Sequence, residues 1–208
     1  GGTLALTGTG LLGLTFNEYQ SDADSKIRSN ANLSLQTTQA FSNAGEISAG
    51  GFLSIYAQSF SNASSGVVDS GNILAIDTIG GNFSNAGTVS SGVTLEVETS
   101  DFSNSGTLAS DNAIRLNMNS LTLGGGEIAA QGLLDIEVVE SVVIGNGDVL
   151  ETEGNLYLKT QNDFINNGTI SAGGAVWLEG GNLANSDTAK INAGQAIDNQ
   201  LMPNAVDL

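Results

Sequence analysis

The side chains in this chain that could do chemistry are mostly carboxylates. Glu96-Val97-Glu98 and Asp135-Ile136-Glu137 each place two acids at alternate positions. A strand points such residues to one side, and paired carboxylates are the usual acid and base of polysaccharide cleavage. Asp22 and Asp24, in Ser21-Asp-Ala-Asp-Ser25, bring hard oxygen ligands close together and are candidates for Ca²⁺. Asn146-Gly147-Asp148 with Glu151 and Glu153 is a similar cluster. Tyr157 and Trp177, the latter the only tryptophan, are rings of the kind on which a sugar face stacks. Each has a plainer reading. Acid pairs in loops are usually just solvated, no further calcium-ligand spacing is present, and aromatics suit exposed strand positions without any ligand.

Composition narrows the chemistry further. There is no His and no Cys, which removes the commonest general base, thiolate nucleophiles, disulfides and the usual transition-metal ligands. Neither a catalytic site nor a cofactor is expected. The formal net charge is −17, and only Lys26, Arg28, Arg115, Lys159 and Lys190 are basic. A face for nucleic acid or anionic lipid cannot be assembled from five scattered cations. No apolar run approaches the roughly 18–20 residues that span a bilayer, so membrane insertion is not expected. Gly124-Gly125-Gly126 and Gly80-Gly81 read as turns, since no Lys follows with phosphate-loop spacing. The opening Gly1-Gly2-Thr3-Leu4 has the character of mid-repeat sequence, and the chain reads as a piece of something longer.

The elements that must position these residues follow from a repeat. Phe41-Ser42-Asn43 returns as Phe60-Ser61-Asn62, Phe83-Ser84-Asn85 and Phe102-Ser103-Asn104, spaced by 19, 23 and 19 residues, and again as Phe164-Ile165-Asn166. Apolar residues keep fixed offsets from the aromatic: Ile47, Leu53 and Ile55 after Phe41, then Val89, Leu95 and Val97 after Phe83. Leu108, Ile114 and Leu116 follow Phe102 in the same way. The last pair alternates with period two, and Asn, Ser, Ala and Gly clusters separate the apolar positions. Each repeat therefore reads as three short strands joined by tight turns. Only stacking of one coil on the next, by parallel pairing at about 4.8 Å, keeps every repeat in phase.

The expected fold is all-β, a parallel β-helix of about ten coils, roughly 50 Å long. Phe41, Phe60, Phe83, Phe102 and Phe164 form an internal ladder, and Asn43, Asn62, Asn85, Asn104 and Asn166 an amide ladder at a turn. Leu121 and Val142 take the aromatic position in degenerate coils. One β-helix domain is expected over 1–197, with irregular or capping coils in 1–40, regular repeats in 41–182 and a degenerate last coil in 183–197. Residues 198–208 are expected to be a tail or linker. The irregular segment 11–28 could serve either binding or capping, and the long coil from Phe60 carries an insertion near Ser64–Gly66 or Thr78–Gly80.

This register carries its own check. One outward column reads Ser54, Ala75, Glu96, Arg115, Asp135, Tyr157, Trp177, and the next reads Tyr56, Asp77, Glu98, Asn117, Glu137, Lys159, Glu179. Arg115 falls between Glu96 and Asp135, and Lys159 between Glu137 and Glu179, where opposite charges on adjacent strands help. The same alternation argues against a polyuronate-cleaving groove, which would need more basic residues and longer loops.

Repeats such as Phe83-Ser-Asn-Ala-Gly-Thr-Val-Ser-Ser-Gly-Val-Thr-Leu-Glu-Val-Glu-Thr99 resemble those of filamentous haemagglutinin and related exoproteins of two-partner secretion in Gram-negative bacteria. The resemblance covers about residues 30–195. It implies a right-handed coil, secretion to the cell surface through an outer-membrane transporter partner, and a non-catalytic role as stalk or adhesive surface. The receptor or polysaccharide it would contact is not specified. Two alternatives are the shaft of a contact-dependent growth inhibition toxin and a carbohydrate-active β-helix. Tyr157 and Trp177 are the expected glycan contacts.

Overall fold

The computed structural model describes residues 1–78, 80–195 and 197–201, the last five as backbone only. All regular structure is β, and every strand pairing is parallel. The first face of the coil is a ten-stranded sheet that runs unbroken from Thr3–Leu6 to Lys190–Ala193. A second face runs unbroken from Leu11–Phe16 to Ile197–Leu201. Leu53–Tyr56, Ser59–Asn62 and Val67–Ser70 show one coil: three strands, then a turn back onto the next layer.

Why the strands stack in this order is visible in the register. Leu53 pairs with Leu74, Leu74 with Leu95, Leu95 with Ile114, and Ile114 with Leu134. Each is fully buried. Slipping one residue would turn this column to water and bring its polar neighbours inside, so the pleat holds the phase. Phe41, Phe60, Phe83 and Phe102 are buried in one column, with ring centroids 5.8, 5.1 and 4.9 Å apart and nearly parallel planes. Phe164 lies in the same position of a later coil, but it pairs with Val142 and Leu183, so no ring meets it in its column.

The asparagines form a directional chain. The Nδ2 of Asn43 donates to the Oδ1 of Asn62 at 2.9 Å, Asn62 to Asn85 at 2.9 Å, and Asn85 to Asn104 at 2.8 Å. Each amide also serves the turn behind it: Asn85 Oδ1 accepts from the Gly87 N–H at 3.2 Å, and its Nδ2 donates to the carbonyls of Gly87 and Thr107. Buried backbone groups that the bend leaves without a strand partner are satisfied this way. A Cβ at Gly87 would lie 2.2 Å from the Gly66 carbonyl oxygen, so this corner admits only glycine.

Residues 11–28, expected to depart from the repeat, keep its register. Leu12 and Leu14 pair with Leu33 and Leu35, Tyr19 with Phe41, and Ile27 with Ile47. Tyr19 extends the aromatic ladder, with its ring centroid 4.4 Å from that of Phe41. Ser21 stands where other coils place Asn: its hydroxyl donates to Asn43 Oδ1 at 2.9 Å and accepts from the Ala44 N–H at 2.9 Å. The long coil from Phe60 has two extra residues at each of two corners. Val68 follows Phe60 by eight residues where Ile47 follows Phe41 by six, and Phe83 follows Ile76 by seven where Phe60 follows Ile55 by five. Ile79, within the second of these corners, lies outside the described residues. At the other end the strand Ile197–Leu201 pairs with Val176–Gly180, so pairing extends into the segment expected to be a tail. Residues 202–208 of that segment lie outside the described residues.

The third face is the irregular one. It runs from Tyr19–Gln20 through Ala40–Asn43, Ser59–Asn62 and Asn82–Asn85 into the ends of the long strands Thr94–Asn104 and Ala113–Leu123. There its pairing stops. Val142–Ile144, Phe164–Asn166 and Leu183–Asn185 form a separate three-stranded sheet.

Candidate functional surface

The second face presents the outward columns in the order of the coils. Glu96 pairs with Arg115, Arg115 with Asp135, Asp135 with Tyr157, and Tyr157 with Trp177. Beside them Glu98 pairs with Asn117, Asn117 with Glu137, Glu137 with Lys159, and Lys159 with Glu179. Arg115 reaches Glu96 at 3.3 Å and Lys159 reaches Glu137 at 3.2 Å. These four side chains are about half exposed, so each pair contributes at most about 1 kcal/mol. Their value lies in registering adjacent coils rather than in holding them together.

A shallow groove of about 320 Å³ opens over the small side chain of Ala75, walled by Glu96, Glu98, Arg115, Asn117 and Asp135. Partial burial pushes the Asp135 carboxyl above its ordinary range, opposed by Arg115 and Lys159 and reinforced by Glu137. Beyond the groove the outward column continues in register to Tyr157 and Trp177, whose rings stack at 4.5 Å with planes 6° apart. The structure therefore holds the acid pairs and the two aromatics on one face, in the outward columns that the sequence register predicts.

Asp22 and Asp24 lie far from that face, in the turn between Tyr19–Gln20 and Lys26–Ser29. Asp22 accepts a hydrogen bond from the Ser25 hydroxyl at 2.7 Å. Among the described residues no three acidic side chains are arranged to hold a metal ion. Asp148, from the other sequence cluster, is buried and uses both oxygens on backbone amides: Gly125 N–H at 2.9 Å and Gly145 N–H at 2.8 Å. Its role is internal. The sequence marks Asp148 as a cluster acid but not for this role, because its partners lie in turns of two different coils.

The first face holds a second ion cluster, in which Glu46 accepts from Arg28 at 2.5 Å and meets Lys26 at 3.6 Å. The hydrogen bond from Arg28 lowers the Glu46 pKa, partial burial opposes it, and the charges of Arg28 and Lys26 add to the lowering. A carboxylate whose folded pKa is depressed contributes stability above its unfolded pKa, near 4.3, and loses it as pH falls through the folded value. Glu46→Gln is thus expected to flatten the acid limb of the stability curve below about pH 4.5 and to leave its slope near neutrality unchanged. Thermal melts of both proteins from pH 7 to pH 3 measure this. An unaltered acid limb would show that the pair does not outlast the solvent.

A stack of parallel coils, with no helix among the described residues, in-register ladders inside and short turns outside, defines a β-solenoid. The family model described as haemagglutinin repeat matches residues 1–87, 78–141 and 134–200. The chain belongs to that family and is a filamentous haemagglutinin-like β-helical repeat segment. No curated protein and no solved structure matches the sequence. The family is of adhesin type and non-enzymatic, and it is associated with two-partner secretion. Among the described residues, no helix is long and apolar enough to cross a membrane.

Proposed function

We propose that this segment is a stiff, non-catalytic part of a large secreted surface exoprotein, exported through an outer-membrane partner and serving as stalk and contact surface. The observation that carries this reading is the unbroken parallel pairing of the first and second faces along about ten coils. Bending such a rod means stretching inter-coil hydrogen bonds on one side, so it transmits position well. Family membership supports the export route and surface location. Small-angle scattering of the segment should give an elongated particle with a long axis near 50 Å for its ten layers. Beads coated with it should be retained on target cells more than bare beads. A globular distance distribution rejects the stalk, and equal bead retention rejects the contact role while leaving the stalk in place.

The stacked Tyr157–Trp177 pair supports a more specific contact. Half-buried stacked rings on the same face as a carboxylate- and amide-lined groove suit an uncharged glycan, with hydroxyls on the polar wall and a sugar face against an aromatic. The excess of acids disfavours sulfated or uronic chains. A neutral-glycan array probed with the segment, Trp177→Ala and Tyr157→Ala tests this. Binding that both substitutions abolish supports the reading; no binding, or binding indifferent to both, removes it.

A further inference from the structure

The interruption of the third face is built from several departures that coincide. In register with Asn104 the next coil has Leu123, and in register with Asn166 the preceding coil has Ile144. The amide chain that links Asn43 to Asn104 therefore ends at Asn104, whose Nδ2 turns to the carbonyls of Gly106 and Glu127. Strand pairing stops between the same two coils, while the first and second faces continue through them. The two turns that flank the gap contain Gly125 and Gly147, both at positive φ (80° and 90°). Val139 and Val143, beside it, are 41 % and 46 % exposed.

One side chain spans the gap. The buried carboxylate of Asp148 accepts from the N–H of Gly125 in one coil at 2.9 Å and of Gly145 in the next at 2.8 Å. In the regular coils a turn N–H is served by the asparagine two residues before it, as Gly45 is by Asn43 and Gly168 by Asn166. Here the apolar Leu123 cannot serve Gly125, and Asp148 does so from the next coil.

We propose that this gap is a built-in opening point of the rod, with Asp148 as the clip that closes it. When the clip releases, the third face parts between residues 120–125 and 142–147 while the other two faces stay paired, and the rod hinges there. Interruption of the strand pairing removes the cooperative resistance that every other layer of that face has. Without Asp148, the N–H groups of Gly125 and Gly145 lose the acceptor that ties the two turns together.

Native-state hydrogen exchange read by mass spectrometry tests this on the intact 208-residue chain. In the wild type, amides of 120–125 and 142–147 should exchange roughly tenfold or more faster than those of 83–87 and 102–106. Asp148→Ala should accelerate the gap by a further factor of about ten or more, with 83–106 unaffected. Asp148→Asn, which keeps the shape but replaces one acceptor by a donor, should fall between. Equal protection of gap and ladder in the wild type overturns the proposal, a result that needs no variant to fold. Acceleration spread evenly over the chain in Asp148→Asn also overturns it, since it would make Asp148 a general stabiliser.

Discussion

Phe83→Ala is expected to cost about 3–5 kcal/mol, and to do so locally. Phe83 is fully buried between Phe60 and Phe102, with ring centroids 5.1 and 4.9 Å away. Truncation removes the transfer energy of the ring and leaves a cavity that the two neighbouring rings cannot fill, because parallel pairing of Phe83 to both Phe60 and Phe102 fixes their spacing. In a solenoid, stability is close to a sum of coils and nearest-neighbour interfaces, so the loss is borne by the coils on either side. Urea unfolding should show an early transition for these coils, and hydrogen exchange should place it around residues 60–104. Phe83→Leu should cost far less, since this column already carries Leu121 in register with Phe102. Equal effects of the two substitutions would show that cavity volume is not what the column contributes.

Asn85→Ala is expected to be comparably severe for a different reason. The side chain is buried and engages five partners: Asn62 Nδ2, the Gly87 N–H, Asn104 Oδ1 and the carbonyls of Gly87 and Thr107. Removing it leaves a buried amide donor, a backbone N–H and an amide acceptor without these bonds, at about 1–3 kcal/mol each and not additively. A total near 3–5 kcal/mol is expected from denaturant midpoints. Asn85→Leu fills the volume but leaves the same groups unpaired, so it should rescue little. Asn85→Asp should also fail, because it sets an acceptor against the Asn104 acceptor. Full recovery by leucine would mean that the asparagines contribute packing rather than a hydrogen-bonded chain.

Much of this was readable before any coordinates. Parallel in-register stacking turns a sequence period into a spatial neighbour, so Phe60 had to meet Phe83, and Arg115 had to lie between Glu96 and Asp135. What escaped the reading did so where residue type changed but position did not. Tyr19 stands for Phe and Ser21 for Asn, and Ile27 follows Tyr19 by eight residues rather than six, so a coil in full register looked like a break. In the coil from Phe60 the insertion was legible at one corner or the other, and it is divided between both, which leaves the strands aligned.

By itself the sequence determined the coil, its period, which side chains face inward and the order of charges along the rod. Alternation and recurrence are one-dimensional properties, and stacking preserves them. Only the tertiary structure decided that the acid pairs wall a groove over Ala75, and that pairing of the third face stops after Leu123. It alone revealed the carboxylate of Asp148 joining two turns across that gap. These depend on where backbone amides of different coils end up relative to one side chain. Hydrogen bonding is directional and short-ranged, so such a match is set by three-dimensional geometry and leaves no period in the chain.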